Sequence, residues 1–325
     1  MKKVLITGAS GFAGFHLIEY LLSQKKFELT GACHSEENFN DSPLKEKIQW
    51  IKADLTDAEN TFNLITKTSP DYIFHLAAAS APFESFKNPV LTFQTNVTSQ
   101  INILEAVLLC HSREGGNPAL NPRLLIVSSS EVYGGPESSQ MPIDEHTPLN
   151  PSSPYAVSKI AQDYLGLQYF NSYKLECIRV RPFNHAGPYQ KENFVVSAFA
   201  KQIAEIEKGK KEPQMLVGNL DSKRDFTDVR DIVRAYYLLI EKGIPGEVYN
   251  LGSGKNYSIK EILDTLLSFS SKKISVITDP QKFRAADTPD IVCDNKKLIE
   301  LTGWQPEISL KKTLQDTLDY WRGIV

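Results

Sequence analysis

The run VLITGASGFAG, from Val4 to Gly14, constrains the fold of this chain more than any other stretch. Val4-Leu5-Ile6-Thr7 is a short apolar run closed by a turn, which predicts a buried strand. Residues 12–24 place Phe12, Ala13, Leu17, Leu21 and Leu22 on one helical face, which predicts a helix. Gly8, Gly11 and Gly14 sit at the turn. Glycines there permit a tight bend, let a pyrophosphate approach the backbone and allow close helix–strand packing, while the helix N-terminus offers amide hydrogens to the anion. Gly8, Ser10, Gly11, Phe12, Ala13 and Gly14 are therefore candidate cofactor contacts, although an isolated glycine-rich turn can also be an ordinary loop.

The same rhythm continues downstream. Strand-like runs at 4–7, 29–32, 50–53, 72–76, 124–128 and 176–181 alternate with helical patterns at 12–24, 58–67, 90–109 and 155–172. This predicts an α/β chain with a doubly wound parallel sheet. After Pro182 the pattern becomes more mixed, with segments at 198–208, 215–217, 259–268 and 310–322 that predict a smaller α/β substrate domain. The boundary is expected between residues 1–183 and 184–325, and 325 residues with 41% hydrophobic content can bury two such lobes. Residues 111–122, rich in Gly, Asn and Pro, read as an exposed loop insertion without chemistry.

A second constellation carries chemistry. Asn150-Pro-Ser-Ser-Pro154 supplies a turn, an N-cap at Ser153 and a proline at the first helical position, so Tyr155 and Lys159 fall on one helical face. A free phenol has a pKa near ~10, and a neighbouring ammonium is expected to lower it, making Tyr155 a useful acid or base. Ser129 follows the run 123–128 at the carboxyl end of a strand, where open parallel sheets bind ligands. Its hydroxyl can orient a substrate oxygen, whereas Ser128 and Ser130 read as turn residues. With the glycine turn, these groups describe a nicotinamide redox site.

Composition narrows the partners. A net charge of -3 without basic–aromatic clusters argues against nucleic acid. No run approaches the ~20 apolar residues of a membrane span, and Met1-Lys2-Lys3 leads into an apolar run that stops at Gly8 without a cleavage pattern, so a cytoplasmic protein is expected. Cys33, Cys110, Cys177 and Cys293 are scattered, and the six histidines show no paired spacing, so no metal site is predicted; His16 and His75 read as packed imidazoles.

Taken together, Gly8, Gly11 and Gly14, His75-Leu-Ala-Ala-Ala79, Asn96, Ser129, Tyr155 with Lys159, Arg181-Pro-Phe-Asn184 and Arg224-Asp225-Phe-Thr-Asp228 resemble the extended short-chain dehydrogenase/reductases that act on nucleotide sugars. The resemblance implies a Rossmann domain onto which residues 228–251 fold back, and a homodimer through the helices at 90–109 and 155–172. It assigns Asp54 and Leu55 to the adenine, Leu76, Ala77 and Ala78 to the cofactor ribose, and Asn184, Arg224 and Arg284 to the sugar diphosphate. Either arginine could instead pair locally, with Asp225 or Asp287. The second predicted strand lacks the terminal acid that holds adenosine ribose hydroxyls, and His34 with Ser35 would tolerate a phosphate there. NADP(H) is thus favoured over NAD(H), with Glu36 and Glu37 left as acids that could reach the ribose.

Residues 181–188, 193–205 and 301–307 are similar to the GDP-4-dehydro-6-deoxy-D-mannose reductases, and residues 218–225 to the GDP-mannose 4,6-dehydratases. The first likeness implies reduction of a C4 ketone to give GDP-rhamnose. Glu131 matches the acid/base that dehydratases use, which leaves dehydration or 4-epimerisation as the alternative. A non-catalytic dinucleotide sensor on the same fold is the alternative from another class.

Overall fold

In the computed structural model, residues 1–36, 42–112, 121–279 and 290–325 are described. The first half runs β1 (Lys2–Thr7), α1 (Phe12–Ser23), β2 (Phe27–Cys33), β3 (Gln49–Lys52), α2 (Ala58–Thr68), β4 (Tyr72–His75), α3 (Pro82–Lys87), α4 (Pro89–Phe93), α5 (Ser99–Ser112), β5 (Arg123–Val127), α6 (Pro154–Tyr173) and β6 (Cys177–Pro182). The second runs β7 (Asn184–Ala186), α7 (Val195–Glu207), β8 (Gln214–Val217), β9 (Lys223–Asp228), α8 (Val229–Lys242), β10 (Val248–Leu251), β11 (Asn256–Ser258), α9 (Ile259–Ser268), β12 (Ser275–Thr278), α10 (Lys296–Thr302) and α11 (Leu310–Ile324).

A seven-stranded sheet in the order β10-β6-β5-β4-β1-β2-β3 forms the frame, and every pairing in it is parallel. Its central strands are covered on both faces. All residues of β4 and β6 are buried; β4 reads as a nearly continuous apolar run, whereas β6 carries Arg179 and Arg181 into the interior. β10 joins this sheet beside β6, and α8 packs Val229, Val233, Tyr236 and Leu239 into the same core as Leu17, Ile18 and Leu21 of α1. The chain thus leaves the first lobe at β7 and returns to it for α8 and β10.

The second lobe carries a β11-β9-β7 sheet and a β12-β8 pair. α7, α9 and α11 bury Phe199, Ile203, Ile262, Leu266, Leu314 and Leu318 against each other.

One predicted helix differs. The pattern at 90–109 forms α4 and α5 joined by a π-helical turn at Gln94–Thr98. The widened turn accompanies Asn96, which is fully buried: its side chain accepts from Ala79 N at 2.7 Å and donates to Ser158 Oγ at 2.9 Å. These bonds tie the loop after β4 to α6.

α6 is anchored at two further points. Ser153 caps it by accepting from Ala156 N, with Pro154 at the first turn, as the sequence predicts. Deeper in, buried Asp163 accepts from Arg179 Nη1 at 2.5 Å and Arg181 Nε at 2.7 Å. Arg181 also donates to Tyr133 OH at 2.9 Å, and Tyr133 donates to Asn250 Oδ1 at 2.7 Å. Every charge in this buried group has a partner, so α6, β6, β10 and the turn after β5 are held in one register.

Candidate active site

The carboxyl ends of the central strands open into a cleft of about 1740 Å³ between the lobes. Gly8, Ser10, Gly11, Phe12, Ala13, Gly14, His34, Asp54, Leu55, Leu76, Ala77 and Ala78 line its first-lobe side. Ser129, Glu131, Tyr155 and Lys159 lie in the same cleft, as do Asn184 and Arg224. Arg284, Asp287 and Glu37 lie outside the described residues, as do residues 113–120 of the insertion.

At the glycine turn the requirement for glycine is geometric. Gly8 has φ +67°, and a Cβ there would sit 2.7 Å from Ala77 N; one on Gly14 would sit 2.4 Å from Gly8 O. α1 starts at Gly11 with no capping side chain and no acid in its first turn. Its first amide hydrogens and the positive end of its dipole are therefore uncompensated by the helix's own side chains, which suits a pyrophosphate. Beyond β2, His34 Nε2 lies 3.8 Å from Asp54 Oδ2. Bonds from Thr56 hold the Asp54 carboxyl below the usual carboxylate range.

The reactive groups converge. Ser129 begins a 3₁₀ turn (Ser130–Tyr133), its Oγ accepting from Glu131 N at 3.2 Å. The Ser129 hydroxyl also interacts with the Tyr155 phenol, favouring its ionised form. Lys159 Nζ lies 5.8 Å from the Tyr155 ring centroid and donates to the Val127 carbonyl at 2.9 Å.

The electrostatics correct the expectation drawn from sequence. Tyr155 is 7% exposed, and burial raises its pKa well above that of a free phenol, opposed by Ser129 and reinforced by the charge of Glu131. Lys159 does not reverse this, because burial acts on it too and brings its ammonium down to about 7. Beneath it, buried His75 holds Thr7 Oγ1 at 2.9 Å, and desolvation with the charge of Lys159 brings its imidazole down to about 3.

On the second lobe, Arg224 and Asp225 point to opposite faces of β9. Arg224 lines the cleft and donates to Lys223 O at 2.8 Å. Asp225 is fully buried and accepts from Ser253 N, Ser253 Oγ, Gly254 N and Cys293 N, so it braces the turn after β10 and is not the local partner of Arg224.

Several cleft residues escaped the sequence reading: Phe83, Phe86, Asn193, Gln202, Leu216, Tyr236 and His185. Only Leu216 left a signal. It alternates with buried Met215 and Val217 along β8 and is itself exposed. His185 lies on the three-residue β7, Phe83 and Phe86 on the short α3 and Asn193 in the turn before α7, while Tyr236 is a buried helix position indistinguishable from core and Gln202 a half-buried one on α7.

A family model described as GDP-mannose 4,6 dehydratase matches residues 5–317. The chain belongs to this family. It is 32% identical over 324 residues to the GDP-6-deoxy-D-mannose reductase of Pseudomonas aeruginosa, covering 100% of this chain and 98% of that protein. It is 30% identical to GDP-mannose 4,6 dehydratase 2 of Arabidopsis thaliana, covering 98% and 86%. Among solved structures, RMD from Pseudomonas aeruginosa complexed with NADPH superposes with a TM-score of 0.86 at 31% identity, covering 100% of both chains. The Thermus thermophilus UDP-glucose 4-epimerase complex with NAD gives 0.84 at 27%, covering 99% of this chain and 100% of that one.

Proposed function

We propose that this protein is an NAD(P)H-dependent oxidoreductase that reduces the C4 ketone of GDP-4-dehydro-6-deoxy-D-mannose to give GDP-rhamnose. The observation that carries this reading is the meeting of Ser129, Tyr155 and Lys159 in one cleft with the glycine turn. The full-length likeness to a GDP-6-deoxy-D-mannose reductase, and to a structure complexed with NADPH, supports both the substrate and the preference for NADP(H) over NAD(H).

A reduced nicotinamide supplies the hydride to C4 when bound. The chain's own residues manage the oxygen. Ser129 holds it, and Tyr155 gives it a proton. Burial keeps that phenol protonated at neutral pH, which is the state a reductive step consumes. As negative charge forms on the phenol it favours protonation of nearby Lys159, whose pKa near 7 lets it take up a proton there. Asn184 and Arg224 serve the diphosphate, a planar guanidinium being matched to phosphate oxygens.

Glu131 favours a second reading. It lines the cleft and its charge acts on Tyr155, as an acid/base for dehydration or 4-epimerisation would. Incubation with the keto sugar decides between them: consumption of NADPH absorbance supports the reductase. Release of that ketone from GDP-mannose with no net cofactor consumption would replace it with the dehydratase.

We also infer a cytoplasmic homodimer. Val90 and Phe93 of α4 and Val157 and Tyr164 of α6 are exposed at 70%, 37%, 42% and 52%, on the helices through which the resemblance predicts association. All four cysteines are free, which suits a reducing compartment, and no described helix is long and apolar enough to cross a membrane.

A further inference from the structure

Ser129 stands on a turn that is held weakly from within. It opens the turn Ser130–Tyr133, where Ser129 Oγ accepts from Glu131 N at 3.2 Å, Ser129 O from Val132 N at 3.3 Å and Glu131 O from Gly134 N at 3.2 Å. Bonds of that length are at the limit of useful geometry. The firm contacts lie further along. Val132 O accepts from Asn150 N at 3.0 Å, and the hydroxyl of fully buried Tyr133 accepts from Arg181 Nη1 at 2.9 Å and donates to Asn250 Oδ1 at 2.7 Å. Burial pushes that phenol up to about 12, so it keeps the hydrogen that Asn250 accepts. Asn250 is itself fixed, its Nδ2 donating to Ile143 O at 3.1 Å and its backbone N to Glu145 Oε1 at 2.7 Å.

The same arginine reaches the helix of the proton donor. Arg181 Nε donates to Asp163 Oδ2 at 2.7 Å, and Arg179 Nη1 to Asp163 Oδ1 at 2.5 Å. Asp163 follows Lys159 by four positions and Tyr155 by eight, which puts all three on one stripe of α6. Asp163 and Arg181 are 0% and 3% exposed, so a broken bond in this group would leave a buried polar atom unpaired. One chain of bonds therefore runs from the helix that carries Tyr155, across β6, to the turn that begins at Ser129. Neither Tyr133 nor Arg181 lines the cleft, so neither meets a ligand there.

We propose, on the reading of Ser129 as the group that holds the C4 oxygen, that Tyr133 is a positioning residue: its bonds to Arg181 and Asn250 set the place of Ser129 against the Tyr155 phenol, and turnover depends on that placement.

Tyr133→Phe keeps the ring and removes both bonds. The folded variant should lose about tenfold in kcat for reduction of the keto sugar, with the sugar KM and the NADPH Kd within about twofold of wild type. In a Ser129→Ala background the same substitution should cost nothing further, because the group it places is gone. An equal loss in that background overturns the inference, as does an unchanged kcat, or a rise in KM or Kd with kcat kept. A crystal structure of the variant reads the placement without turnover: Ser129 Oγ should have moved away from the Tyr155 phenol, and a Ser129 still in place overturns the inference whatever the kinetics. If the wild type fails to reduce the keto sugar while Ser129 moves in the variant, the reductive reading falls and the placement is upheld. If Tyr133→Phe does not fold, Asn250→Ala, which leaves Arg181 and Asp163 paired, takes the same measurements, and an unchanged rate there overturns the inference by itself.

Discussion

The two walls of the cleft are built from different material. Around the glycine turn the first-lobe wall is backbone, where Gly8, Gly11, Gly14, Ala77 and Ala78 bring main chain to the surface and α1 presents its amide hydrogens. The second-lobe wall is made of side chains, with Asn184, Asn193, Gln202, Leu216 and Arg224 reaching in from separate elements. A wall of backbone binds a common feature of many ligands and tolerates little substitution. A wall of side chains sets selectivity and can be changed one contact at a time.

The groups at the seam should give the largest effect. Tyr155→Phe is expected to lower kcat about a thousandfold, while the Kd for NADPH, measured by fluorescence titration, stays close to wild type. A turnover near wild type would remove the proton donor from this account. Next comes the backbone wall. Gly8→Ala meets both a left-handed φ and the Ala77 amide, so cofactor affinity should fall about a hundredfold, with KM for the sugar changing less. Equal loss on both ligands would mean that the walls are not separable.

Arg224→Ala probes the opposite wall and should raise the sugar KM about tenfold with cofactor Kd unchanged. The smallest effect is on stability. Lys159 has a pKa near 7 when folded against an ordinary 10.5, so between these values the unfolded chain holds a proton that the folded chain does not. Stability therefore rises with pH across that window, and the burial penalty is complete below about pH 7. Lys159→Met should accordingly stabilise the fold by about 1 kcal/mol at acidic pH, an advantage that disappears towards alkaline pH, while activity is lost. Denaturant unfolding at several pH values checks it, and a pH-independent difference would refute the assignment.

Much of this was legible in order along the chain. The apolar runs of β1 and β5 read as buried strands, and Ser153-Pro154 announced the start of α6 through local capping chemistry. The glycine turn was legible because backbone approach demands glycine at fixed spacing. The π-helical turn at Gln94–Thr98 was not, because its cause is a contact of Asn96 with Ala79 and Ser158, remote in sequence. Nor was the partner of Asp225, which lies after β10 and beside Cys293.

The sequence by itself therefore determined the strand–helix order, the glycine turn between β1 and α1 and the capped start of α6 that carries Tyr155 and Lys159. These depend on period, cap and spacing, which act between near neighbours. The tertiary structure decided the rest: which side of β9 faces the cleft, and how far burial raises Tyr155 and lowers Lys159. Each of those depends on how much water is removed and on which remote atom takes its place, and neither is encoded in local spacing.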